Sequence, residues 1–188
     1  MAIQVRGLTY DDLLQLREAR DEQLELIDGE LFVNPAPAPL HQLVSKRLSH
    51  ILAQAVDNSG FGQYLYAPLD LKLADGTIVQ PDLVVVRSAR LAMTTAPAIE
   101  GPPDFVIELA SQSNDAYARE TKHKAYARHG VPEYWLVDPD AREVTIWSDP
   151  FDGRYRSELV TTEAATAVTI PNLNVVLAPL FAPFAKPD

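Results

Sequence analysis

The chain has 188 residues, 47% hydrophobic and 22% charged, with 26 acidic against 16 basic side chains, a formal net charge of −10 and no cysteine. These values describe a globular chain long enough for one domain with a sizeable core, and they exclude a disordered protein, a disulfide framework and a thiolate metal site. The acidic balance argues against a protein that coats nucleic acid, which depends on Lys and Arg neutralising phosphates, but leaves room for an enzyme that holds DNA locally.

Thr9 is a suitable N-cap for a helix through "YDDLLQLREAR". In "LELIDGELFV" two short apolar runs flank Asp28-Gly29, a strong signal for a tight hairpin. After the stiff connector "NPAPAP", apolar residues at Leu40, Leu43, Val44, Leu48, Ile51, Leu52 and Ala55 follow a helical spacing. "YLYAPLDLKL" and "TIVQPDLVVV" flank Asp75-Gly76 and predict a second hairpin. "DFVIELA" reads as a buried strand, and "NDAYARETKHKAYARHG" as a helix from Asn114 that ends at Gly130. "PEYWLVD" and "EVTIWS" predict strands around Pro139-Asp140, with "RYRSELV" and "AVTI" as later strands and "LAPLFAPFAKPD" as a proline-broken tail packed along the core. The order of helices and strands predicts a mixed β-sheet flanked by helices, an α/β or α+β architecture, in one domain spanning 1–188. No apolar run approaches the roughly 20 residues of a membrane span, and the N-terminus lacks the apolar core of a signal peptide. A cytoplasmic location with no membrane partner is therefore expected.

Two carboxylates stand where burial is costly. Alternation along a strand puts Asp82 with Val84 and Val86, opposite Leu83 and Val85. The same rule groups Val106, Glu108 and Ala110 opposite Phe105, Ile107 and Leu109. An ionised carboxylate buried without a partner costs several kcal/mol, so an arginine partner, a strand end open to water, or a bound hard cation must compensate it. Pro81, with no backbone donor, belongs at a strand start, an edge or a bulge, where it can re-aim its neighbour.

The two lysines of the third predicted helix differ in their neighbours. Lys122 shares its face with Ala118, Ala125 and Tyr126, whereas Lys124 lies with Glu120 and Arg128 on a solvated face. Lys122 either snorkels over the core edge or approaches the two acids, where it could orient a water and stabilise charge on a phosphate.

The stretches "ELIDGELF", "PAPAPLHQLV", "QPDLVVV", "DFVIELASQS" and "KHKAYARHGVPEYWLVDP" resemble, in order, the Uma-two family of restriction-endonuclease-like proteins, a branch of the PD-(D/E)XK nuclease superfamily. The resemblance implies that Asp82 is the acid of the "PD" element and Glu108 the following acid. Ala110 stands where the parent motif has its lysine, and the resemblance implies that Lys122, on the next helix, takes its place. It further implies an accessory acid at Glu30, with Glu25 a weaker candidate, and a substrate contact or helix-terminal role for His41. Gln112, where family members often have proline, concerns only a loop.

The expectation is a Mg²⁺-dependent (or Mn²⁺-dependent) DNA endonuclease, homodimeric as the superfamily implies, with Asp82, Glu108 and Glu30 as metal ligands and Lys122 as catalytic cation. Two other readings stay open: a catalytically silent nuclease-fold binding or regulatory protein, and a metal-dependent hydrolase of small nucleotides.

Overall fold

The computed structural model describes residues 2–3, 7–20, 22–34, 36–110 and 116–183. Pro35 of the connector, Gln112, the expected helix start at Asn114 and the end of the tail lie outside them. After strand β1 (Ala2–Ile3), Thr9 caps helix α1 (Tyr10–Glu18) in a reciprocal box, its backbone N–H donating to Asp12 Oδ2 at 2.8 Å. Strands β2 (Gln23–Ile27) and β3 (Glu30–Asn34) pair so that Ile27 faces Glu30, which leaves a two-residue turn. Both turn residues have positive φ, 55° at Asp28 and 75° at Gly29, the conformation that makes Asp-Gly favourable there. Helix α2 (Pro39–Leu52) buries Val44, Leu48 and Leu52 and continues into a π-helical turn, Ala53–Asp57.

The two runs expected to form one hairpin instead supply four strands: β4 (Gly62–Tyr66), β5 (Leu71–Ala74), β6 (Thr77–Val79) and β7 (Leu83–Arg87). Asp75-Gly76 does join β5 to β6, but β4 and β7 pair with each other in a different sheet. Prolines 68 and 81 stand at the two crossings, where a residue without an N–H ends a ladder at little cost.

A 3₁₀ turn (Ser88–Met93) leads to β8 (Ile99–Glu100), β9 (Phe105–Leu109), helix α3 (Ala116–Arg128), β10 (Glu133–Asp138), β11 (Glu143–Phe151) and β12 (Arg154–Thr161). The short strands β13 (Ala164–Thr166) and β14 (Asn174–Val176) and helix α4 (Leu177–Leu180) follow. One sheet has the order β1-β3-β2-β6-β5-β8 and the other β12-β11-β10-β9-β7-β4, with β13 and β14 as a separate ribbon. The expected mixed sheet flanked by helices is thus two sheets, in an α+β arrangement. In the second sheet β9 and β10 run parallel, joined through α3.

Side-chain alternation separates two cores across this sheet. Leu83, Val85, Phe105, Ile107 and Leu109 pack with α2 and the C-terminal segment. Val84, Val86 and Val106 pack with α3 and the first sheet. Among the described residues no helix is long and apolar enough to cross a membrane.

Residues 167–170, expected as a strand, are not one. Fully buried Glu133 draws this segment in, accepting hydrogen bonds from Val168 N at 2.9 Å and from Thr169 N and Oγ1, each at 2.7 Å, besides Trp135 Nε1 at 2.7 Å. Satisfying a buried carboxylate outweighs extending a ladder. Glu133→Ala strands these donors and is expected to destabilise the fold by at least about 3 kcal/mol. Urea unfolding measures this, and a loss below about 1 kcal/mol would mean that water replaces the carboxylate.

Candidate active site

The antiparallel register of β7 and β9 aligns Leu83 with Ile107 and Val84 with Val106. One residue further along, the same register sets Asp82 beside Glu108, on the face that each acid shares with its own alternate neighbours, Val84 and Val106. Leu109 N closes the arrangement by donating to Asp82 Oδ2 at 2.7 Å. Asp82 precedes β7 rather than lying within it, and Pro81 sits where the chain leaves one sheet for the other.

Neither acid has an arginine partner among the described residues. Glu108, only 7% exposed, accepts from Tyr126 Oη at 2.6 Å and from Lys122 Nζ at 3.0 Å, both on Oε1. Lys122 Nζ also lies 2.8 Å from Oε1 of Glu25. Fully buried Glu25 in turn accepts from Asn34 Nδ2 at 2.6 Å and from Gln80 N at 2.5 Å, which anchors the segment leading into Pro81 and Asp82. Lys124 forms an exposed helix-surface pair with Glu120 at 2.7 Å, so the two lysines divide as their neighbours foretell.

His41, from the first turn of α2, places Nε2 at 3.3 Å from Asp82 Oδ1, while its buried Nδ1 has no hydrogen-bond partner among the described residues. Asp82, Glu108, Lys122 and His41 therefore come together. Glu30 does not join them: it sits directly after the hairpin turn, half-buried, and accepts from Tyr117 Oη at 3.1 Å. The acid of this hairpin that reaches Lys122 is Glu25. Its signal was the one that singled out Asp82, a carboxylate interrupting an apolar run, here in "LELI".

The electrostatics follow from burial and an excess of negative charge. Burial drives the Glu108 carboxyl up to about 7; Lys122 opposes this, and the charges of Asp82 and Glu25 add to it. Burial alone would lower Lys122, but Glu108 and Glu25 more than offset it and hold the ammonium well above its ordinary value. His41 behaves likewise: burial lowers it, the hydrogen bond and charge of Asp82 and the charge of Glu108 raise it, and the net shift is upward. Tyr126 is driven well above the usual phenol range, by burial first and then by Glu108.

These groups meet at a cavity of about 560 Å³, lined by Asp82, Glu108 and Lys122 and walled by α2 on one side and the end of β4 on the other. No group of three or more acids or histidines among the described residues forms a complete metal cage. What the cavity offers is two adjacent hard-oxygen donors in a cluster where three carboxylates face one lysine. That set suits a divalent cation whose remaining ligands are waters and substrate oxygen.

The α+β fold thus sets an acid at the entrance of β7 beside one in β9, with a helix lysine against the latter. The match to the family model described as "Putative restriction endonuclease", Uma2, covers residues 10–178, and the chain belongs to that family. A relative from Synechocystis sp., named "Uncharacterized protein slr1290", is 27% identical over 150 residues, covering 78% of this chain and 76% of its own. Among solved structures, that of an Anabaena variabilis protein described as "a putative nuclease belonging to DUF820" shares the fold. Its TM-score is 0.77 at 21% identity, with 93% of this chain and 98% of that one covered.

The raised Glu108 value has a defined consequence for stability. A carboxyl with a folded-state pKa above its unfolded value contributes stability that is full below about 4.5 and is lost as pH rises through about 7. In metal-free buffer, wild type should lose stability relative to Glu108→Gln between pH 5 and pH 8, as read from urea midpoints. A gap between the two proteins that does not change with pH would contradict the raised carboxyl.

Proposed function

We propose that the protein is a Mg²⁺-dependent or Mn²⁺-dependent endonuclease that hydrolyses DNA phosphodiesters in the cavity bounded by Asp82, Glu108 and Lys122. The observation that carries this reading is the side-by-side placement of Asp82 and Glu108 with Lys122 Nζ 3.0 Å from Glu108. Asp82 and Glu108 would hold the cation, which when bound supplies Lewis-acid polarisation of the phosphate and a more acidic water.

The chain's own groups define the rest. Lys122, kept protonated by two buried carboxylates, cannot serve as the general base. It acts as a fixed donor and positive charge beside the scissile phosphate, where charge develops. Glu25 is its positioning partner and ties it to the Gln80–Pro81 segment that aims Asp82. Tyr126, held neutral, donates to Glu108 and fixes the carboxylate's orientation. His41 orients Asp82 from the opposite wall.

The test is incubation of purified protein with supercoiled, linear and single-stranded DNA in Mg²⁺ or Mn²⁺, with chelator and Glu108→Ala as controls. Cleavage is expected only with metal and wild-type Glu108. If no substrate is cut while calorimetry records metal binding, the small-nucleotide hydrolase gains; if metal does not bind either, the fold serves as a binding module.

Lys122→Ala is expected to lower cleavage at least a hundredfold, and Lys124→Ala by less than twofold. Equal losses would contradict the assignment. Divalent cation should raise the melting temperature of wild type but not of Asp82→Ala or Glu108→Ala, and stabilisation retained in both variants would sink the metal assignment.

A further inference from the structure

An exposed aromatic side chain lines this cavity. Tyr66, the last residue of β4, is 64% exposed, and Tyr64 lies two residues before it with ring centroids 6.4 Å apart and planes 35° from parallel. Both line the same cavity as Asp82 and Glu108. The backbone fixes their place: Tyr66 pairs with Leu83, and Ala67 N donates to Asp82 O at 3.1 Å, so the exposed ring sits beside the chain that carries the first acid. Among the described residues, the ring contact of Tyr66 is that with Tyr64.

The opposite wall is the polar face of α2, which presents His41, Ser45 and Lys46. Among the described lining residues, Lys46 and a protonated His41 are the cations besides Lys122, whose charge is already shared by Glu25 and Glu108. A duplex held by its backbone needs a track of several cationic phosphate contacts, which this wall and a net charge of −10 do not supply. A base with an open π-face can add stacking on an aromatic platform to a small number of phosphate contacts, and such stacking tolerates any sequence. The size agrees: about 560 Å³ is the volume of a site for one drug-sized ligand, such as a nucleotide, and the 7% exposure of Glu108 requires the reacting phosphate to enter that space.

We infer that the substrate is an unpaired DNA strand, with a base stacked on Tyr66 while the adjoining phosphate reaches Asp82 and Glu108. The inference rests on the nuclease reading for the role of the acids, but the stacking itself is measurable without cleavage. A strand end, a flap or a single-stranded gap would present the required geometry, whereas an intact helix keeps its base faces covered.

The experiment measures fluorescence anisotropy of labelled single-stranded and duplex 12-mers of one sequence in Ca²⁺, with wild type, Tyr66→Ala and Tyr66→Phe. Wild type is expected to bind the single strand at least tenfold more tightly than the duplex. Tyr66→Ala should weaken single-strand binding about tenfold to a hundredfold, while Tyr66→Phe stays within about twofold. Thermal melting of the variants controls for folding, and an exposed ring predicts unchanged midpoints. Equal or tighter duplex binding, or full single-strand affinity in Tyr66→Ala, overturns the inference. Parallel assays in Mg²⁺ separate it from the nuclease reading. Glu108-dependent cutting of duplex that ignores Tyr66 defeats only the stacking, whereas Tyr66-dependent single-strand binding without any cutting upholds the stacking and defeats the nuclease.

Discussion

Lys122 carries a buried positive charge that two buried carboxylates share, at 2.8 Å from Glu25 and 3.0 Å from Glu108. The three residues come from three elements, a strand of each sheet and the helix between β9 and β10. A charge withdrawn from water is tolerated only when its partners are held close and their remaining lone pairs are satisfied. Tyr126, Asn34 and Gln80 N supply those further bonds. The contact therefore sets how the two sheets meet around α3, because any displacement would leave an uncompensated charge in a core built from Val84, Val106 and Tyr134.

The local requirement for compensation also creates the site. Glu25 and Lys122 roughly balance, which leaves Glu108 and Asp82 side by side with only partial neutralisation. Burial then pushes Glu108 up to about 7, the position of a group that would give up its proton to a cation at little cost. The same network aims the acids: Glu25 grips Gln80 N, Pro81 breaks the ladder, and Asp82 emerges against Leu109 N at the start of the second sheet. A rigid frame of this kind holds functional groups more tightly than a loop could.

The division of one apparent hairpin between two sheets gives the cavity its walls. Because β4 pairs with β7 in the second sheet, Tyr64 and Tyr66 end beside Asp82, and α2 closes the other side with His41. A chemical centre of acids and one lysine thereby acquires an aromatic rim.

Much of this was readable from short stretches. Strand alternation showed that Asp82 and Glu108 each interrupt an apolar face of its own strand, the helical neighbours at three and four residues separated Lys122 from Lys124, and Asp28-Gly29 marked a two-residue hairpin. Each of these depends only on backbone geometry over a few residues, which the amino-acid types dictate directly. Family motifs supplied the expected role of the triad. Tertiary structure alone decided that Glu25 rather than Glu30 reaches Lys122, that residues 167–170 wrap onto Glu133, and that the expected pairing of the two runs is split between two sheets, β5 with β6 in one and β4 with β7 in the other. These outcomes turn on which buried charge finds which distant partner and on where a ladder can continue past a proline. Such competitions are settled by the whole packed chain, so no window of the sequence contains them.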